Sequence, residues 1–157
     1  MKEKIKVLMV CHGNICRSPL AEFVMKNLVN QQNLTSHFHI ASAATSTEEI
    51  GNDVHRGSKA IMQKYHIPFG PRAARQITKK DYAEYDYLIG MDTANICNMH
   101  RAFGGDPEGK VYKLLSFAGE GRDVADPWYT GDFETTYRDV VAGCEGLLEH
   151  LKEQGLV

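Results

Sequence analysis

A cysteine and an arginine stand with five residues between them in Cys11-His12-Gly13-Asn14-Ile15-Cys16-Arg17-Ser18. A short glycine-containing loop that runs into a helix aims several backbone N–H groups at one point, and the helix dipole adds its pull on an anion. The amides of His12, Gly13, Asn14, Ile15 and Cys16 are the expected cradle. That field favours Cys11 as the thiolate, the form of cysteine that attacks. Arg17 supplies a planar fork able to hold two phosphate oxygens and follow their charge into a transition state. Spacing alone also fits a small buried cysteine beside a surface arginine. Context separates the two: the same step from Cys16, Cys97 and Cys144 lands on Glu22, Phe103 and His150, so only Cys11 has its arginine.

Attack by a thiolate on a phosphate monoester needs a proton donor for the departing oxygen, which leaves poorly without one. Asp126 is the candidate. It opens Asp126-Pro127-Trp128-Tyr129, where the proline biases Asp126 towards extended backbone and the two aromatics form a wall beside it. Asp-Pro is also a common turn starter, and by itself the dipeptide reads that way.

These residues need a scaffold, and the apolar pattern supplies one. Ile5 to Val10 is a continuous apolar run, suited to a strand buried on both faces. Ser18 reads as the N-cap of the next helix, Pro19 as its first residue and Glu22 as an acid in its first turn, with Leu20, Phe23, Val24 and Leu28 at the helical period. Phe38 to Ala43 follows as a strand and Asn52 to Tyr65 as a helix. Tyr85 to Met91 is a third strand, leading into a helix capped by Asp92 or Thr93; Val111 to Leu115 is a fourth, and Phe133 to Gln154 a closing amphipathic helix. The alternation predicts an α/β fold: one open, parallel, four-stranded sheet with helices on both faces, forming a single domain over residues 1–157. Ligands bind such sheets beyond the carboxyl ends of the strands, where the Cys11 loop falls.

Composition excludes several function classes. Eighteen Lys and Arg against twenty Asp and Glu leave a net charge of -2 with no long run of either sign, which predicts neither nucleic-acid nor membrane binding. The charged start at Lys2 leads into an apolar stretch too brief for a signal-peptide core, and no apolar run approaches the ~20 residues of a membrane span. The expected location is the cytoplasm. There the four cysteines are reduced, and a close pair is catalytic or redox-sensing rather than structural. Cys16, in the same tight loop as Cys11, is placed to condense with its sulfenic acid.

Val10 to Pro19 and Asp126 to Tyr129 resemble the signatures of the low-molecular-weight protein tyrosine phosphatases. Ser42 to Ser46, Ala74 to Ile77 and Tyr87 to Asp92 are similar to further segments of that family, at matching spacing. The resemblance implies hydrolysis of phosphotyrosine in proteins, and of small aryl phosphates, with Cys11 as nucleophile, Arg17 as phosphate clamp and Asp126 as acid and then base. It implies no metal or cofactor, and phosphate or other oxyanions as inhibitors. Asn14, Ser18 and Ser42 match positions that shape the phosphate loop, and Ser18 is placed to aid the thiolate as leaving group. Asp92 matches a family acid near the site, while reading equally well as a helix N-cap. Two positions depart: Arg72 stands where many relatives carry His, so the partner of Asn14 is expected to be absent or replaced. Glu48 stands where many carry an aromatic, so the cleft opposite Trp128 and Tyr129 is expected to have one acidic wall.

Two other activities share the loop. An arsenate reductase of the same fold needs further, closely spaced thiols, whereas Cys97 and Cys144 are far apart and each reads as a small core residue of a helix. A silent phosphopeptide-binding module needs neither Cys11 nor Asp126.

Overall fold

The computed structural model describes residues 4–157, so Lys2 and the first part of the expected domain lie outside the described residues. Strand β1 (Ile5–Cys11) carries the apolar run, and Val7, Leu8, Met9 and Val10 are wholly buried. A strand buried on both faces must sit inside a sheet with cover above and below. It does: β2 (Phe38–Ala44), β3 (Tyr87–Gly90) and β4 (Val111–Lys113) join it in the parallel order β2-β1-β3-β4.

The period-two alternation of β1 divides the core. Val7, Met9 and Cys11 face helices α1 (Arg17–Gln31), α2 (Arg56–Lys64) and α6 (Phe133–Glu153), through Leu20, Met62 and Leu147 among others. Leu8 and Val10 face α3 (Lys79–Glu84) and α4 (Thr93–Phe103), through Tyr82 and Met99. A last short helix, α5 (Pro127–Thr130), stands between β4 and α6. This is the expected open parallel four-stranded sheet with helices on both faces. Among the described residues no helix is long and apolar enough to cross a membrane.

Several boundaries differ from the sequence reading, each for a tertiary reason. Helix α1 starts at Arg17 with Cys16 in the cap position, so Ser18 is not the N-cap and Glu22 falls beyond the first turn. The Ser18 hydroxyl is turned to the Cys11 sulfur instead. Helix α2 starts only at Arg56, because Asn52 is tied to Ala74 and Glu49 rather than to a helical turn. Strand β3 stops at Gly90, since the N–H of Met91 goes to the Asn95 side chain. Strand β4 stops at Lys113, and the fully buried Leu114 and Leu115 begin a 3-10 turn. The short helices α3 and α5 were not read from the sequence.

Candidate active site

The chain leaves β1 outward to β2 and later crosses back to β3, so the sheet order reverses beside β1. In open parallel sheets the crevice beyond that reversal is where ligands bind. A cavity of about 550 Å³ opens there, lined by Cys11 and its loop, Glu48 and Glu49, Asp92 after β3, and Asp126, Trp128 and Tyr129.

The loop curls through Asn14, which takes the left-handed conformation (φ 59°) that Asn tolerates better than most residues. The curl brings the Asn14 and Ser18 N–H groups to 3.3 and 3.4 Å from Cys11 Sγ. Ser18 Oγ lies 3.0 Å from the same sulfur and accepts from Asn14 Nδ2 at 2.7 Å; with Cys11 as the thiolate, the Ser18 hydroxyl is the donor to the sulfur. Two amide donors and one hydroxyl thus converge on one sulfur, and a negatively charged sulfur is the better acceptor for all of them. Gly13 allows close approach: a Cβ there would come within 3.3 Å of Glu49 Cγ.

Arg17 is 3% exposed. Its Nη1 donates to Asp92 Oδ2 at 2.8 Å and to the Val124 carbonyl at 3.2 Å, and its Nη2 to Asp126 Oδ2 at 3.4 Å. Burial works against its charge, but the negative charges of Cys11, Asp126 and Asp92 outweigh burial and raise its pKa. Both readings of Asp92 describe it: Oδ1 accepts from Asn95 N at 2.7 Å and caps α4, while Oδ2 holds Arg17. Asp126 is extended (φ −90°, ψ 110°), and its Oδ1 accepts from Trp128 N at 3.0 Å, so turn residue and cleft acid are one and the same.

Of the two outcomes expected for the partner of Asn14, absent or replaced, the structure shows replacement, by Arg72 itself. Its Nη1 donates to the Asn14 carbonyl at 2.6 Å, and its Nη2 to Asn14 Oδ1 and, at 3.4 Å, to Ser42 Oγ. Ser42 in turn donates to Glu22 Oε1 at 2.5 Å, and Lys26 Nζ donates to Glu22 Oε2 at 2.6 Å. Ser42 therefore reaches the loop through Arg72. Burial lowers the Arg72 pKa, opposed by the charges of Glu22 and Cys11. Nothing in the local spacing pointed to this network, apart from Glu22 and Lys26 at i and i+4 on one helix face.

Trp128 and Tyr129, which are 65% and 85% exposed, line the cavity together with His12 and Glu48, whose Nε2 and Oε2 pair at 2.9 Å. Cys16 also lines the cavity. Burial, reinforced by the charges of Cys11 and Asp126, pushes its thiol up to about 12. Cys144 is buried as expected, and burial raises its thiol. Cys97 is not a core residue, because α4 turns it to solvent. Among the described residues no group of three His, Cys, Asp or Glu side chains is arranged to hold a metal ion.

The family model described as low molecular weight phosphotyrosine protein phosphatase matches residues 6–156. The chain belongs to that family. Among relatives of the low molecular weight phosphatase family, YfkJ of Bacillus subtilis is 36% identical over 152 residues, which are 96% of this chain and 97% of that protein. The human low molecular weight phosphotyrosine protein phosphatase is 40% identical over 148 residues, covering 91% of this chain and 93% of its own. The crystal structure of YfkJ superposes with a TM-score of 0.92 at 35% identity, covering 97% of both chains. That of a Streptococcus pyogenes low molecular weight protein tyrosine phosphatase does so with 0.85 at 42% identity, covering 94% of this chain and 93% of its own.

Proposed function

We propose that this protein hydrolyses phosphotyrosine in proteins, and small aryl phosphates, through a phosphocysteine on Cys11. The observation that carries the reading is the meeting of three groups in one cavity: the Cys11 sulfur under its donors, the buried Arg17, and Asp126. In the first step the Cys11 thiolate attacks phosphorus and the P–O bond to the phenol breaks. The loop amides and Arg17 hold the remaining phosphoryl oxygens, and Asp126 protonates the departing phenoxide. In the second step water attacks phosphorus, the Asp126 carboxylate takes its proton, and the S–P bond breaks. The Ser18 hydroxyl, already aimed at the sulfur, eases its departure as thiolate. No metal or cofactor enters either step.

The same reading gives phosphotyrosine proteins as substrates, phosphate and other oxyanions as inhibitors, and a cytoplasmic single-domain enzyme without nucleic-acid or membrane partners. Purified protein is expected to release inorganic phosphate from phosphotyrosine peptides at an undiminished rate in EDTA. Binding of such peptides without turnover would make the chain a silent module and overturn the reading. The arsenate reductase reading lacks support, since Cys97 is exposed on α4 and Cys144 is buried against α1, where it faces the Ala21 carbonyl.

Cys16 fits the role of redox partner. Peroxide converts the Cys11 thiolate to a sulfenic acid; the Cys16 sulfur then forms the S–S bond and water leaves. Oxidation also removes the Cys11 charge, one of the causes that hold the Cys16 proton in place. Inactivation by peroxide is expected to be reversed by thiols in the wild type and poorly reversed in Cys16→Ser. Equal recovery of phosphatase activity in the two proteins would remove Cys16 from this role.

A further inference from the structure

His55 sits where three parts of the molecule meet. Its backbone N–H donates to the Ile15 carbonyl of the phosphate loop at 2.8 Å. Its Nδ1 accepts from Gly57 N at 3.0 Å and caps α2, which leaves the ring proton on Nε2. Its ring stacks on Phe133, at the start of α6, with centroids 5.4 Å apart and planes 15° apart, and meets Trp128 edge-on at 6.4 Å and 79°. Gly57 makes the stack possible, because a Cβ there would come within 2.3 Å of the Phe133 ring. Ser58, fully buried, donates to the Cys16 carbonyl at 3.2 Å, so His55 and Ser58 at the start of α2 bond the successive loop carbonyls of Ile15 and Cys16.

The backbone hydrogen bonds that join the acid-bearing loop to other elements lie before Asp126. Before it, Val124 N donates to the Met91 carbonyl at 2.8 Å, Ala125 N to Asp139 at 3.3 Å, and Thr136 Oγ1 to the Ala125 carbonyl at 2.8 Å. After it come the four residues of α5, whose two aromatics are mostly exposed. Asp126 is aimed by the Trp128 N–H, and the Trp128 side chain rests against His55. The residue that orients the acid is therefore the one that leans on a ring attached to the phosphate loop.

We propose that His55 is a positioning residue for the reaction: its ring, braced by Phe133, sets the acid loop against the phosphate loop and so aims Asp126 at the leaving oxygen. The inference rests on the reading of Asp126 as general acid. His55 acts only through Trp128 and Phe133, so its removal weakens proton delivery and leaves nucleophilic attack in place. The loss then grows as the leaving phenol becomes more basic, which a general loss of structure would not produce.

Two variants reach the contact from opposite sides. His55→Asn removes the ring and keeps a side-chain acceptor for the α2 cap. Gly57→Ala keeps His55, improves helix propensity and displaces Phe133. Each is compared with wild type and with Asp126→Asn for kcat/KM over a series of aryl phosphates, and for the emission of Trp128, the only tryptophan in the chain. Both variants are expected to lose roughly tenfold on phenyl phosphate, the upper weight of one aromatic contact, to lose little on a dinitrophenyl ester, and to change the Trp128 emission. An even loss across the series, or unchanged emission in both variants, overturns the inference while a steep series in Asp126→Asn leaves the acid reading standing. A flat series in Asp126→Asn overturns the acid reading and this inference together.

Discussion

Cys11→Ser is expected to abolish turnover while the loop still binds phosphate or vanadate. A serine hydroxyl in the same place keeps its proton at neutral pH, and the groups bonded to the Cys11 sulfur among the described residues include no carboxylate or imidazole to remove it. The donors facing it are the Asn14 and Ser18 amides and the Ser18 hydroxyl. Loss of a covalent nucleophile in a hydrolase lowers kcat by as much as about 10⁶-fold. The anion site survives, because the amides and Arg17 are untouched by the change. Rapid quenching of wild type during turnover is expected to trap phosphate on Cys11, and finding it on another residue, or substantial activity in Cys11→Ser, would sink the mechanism. Arg17→Lys tests the other half of the cradle. Lysine is a point charge and cannot reach Asp92, the Val124 carbonyl and Asp126 while presenting a planar face to phosphate. Loss of one preorganised donor from an anion site lowers kcat by ~10²–10³-fold, so a decrease of that order is expected in Arg17→Lys.

Asp126→Asn is expected to slow poor leaving groups by roughly 10²–10⁴-fold, the usual range for a general acid, and activated aryl phosphates far less. The substitution is mild on the loop, since an Asn Oδ1 still accepts from Trp128 N and still caps α5. On the other side an amide group faces Arg17 Nη2, where the carboxylate accepts at 3.4 Å, so the orientation of Arg17 rests on Asp92 and the Val124 carbonyl. Pre-steady-state measurement separates the steps: with a dinitrophenyl ester the first step stays fast and the phosphocysteine accumulates, because the water attacking it lacks its base. An equal decrease across the leaving-group series, without accumulation, would reduce Asp126 to a structural cap.

The parts of the site that the sequence disclosed are those whose geometry is local. Cys11 to Ser18 forms one loop with its own backbone, so residue types and spacing were enough to indicate an anion cradle. Asp92 on the cap of α4 follows from the same local logic. The sequence left the partner of Asn14 open between absent and replaced, because the contacts of Arg72 with Asn14 cross 58 residues of chain and nothing in either segment says that a guanidinium stands in for an imidazole. Ser18 was misplaced as a cap because local propensity competes with tertiary demand, and here the sulfur of Cys11 claims the hydroxyl. Helices α3 and α5 are too short for their apolar positions to show a helical period, and are defined by caps and packing. Cys97 was assigned to the core on residue type alone, and the face of α4 that carries it looks outward.

The strand that carries Cys11 lies between β2 and β3, and that has a bearing on timing. A chain made from its N-terminus exposes Cys11 early, long before β3 can pair with β1, before Asp92 can reach Arg17, and before Asp126 and the stack on Phe133 exist. Pairings of such sequence separation form late, because loop closure precedes any compensating contact. Until then Cys11 lies on an unpaired apolar segment, without its amides or its cation. On the proposed mechanism, catalytic competence is thus a property of the finished molecule, and in refolding from denaturant phosphatase activity should return with the last cooperative phase and not with early collapse.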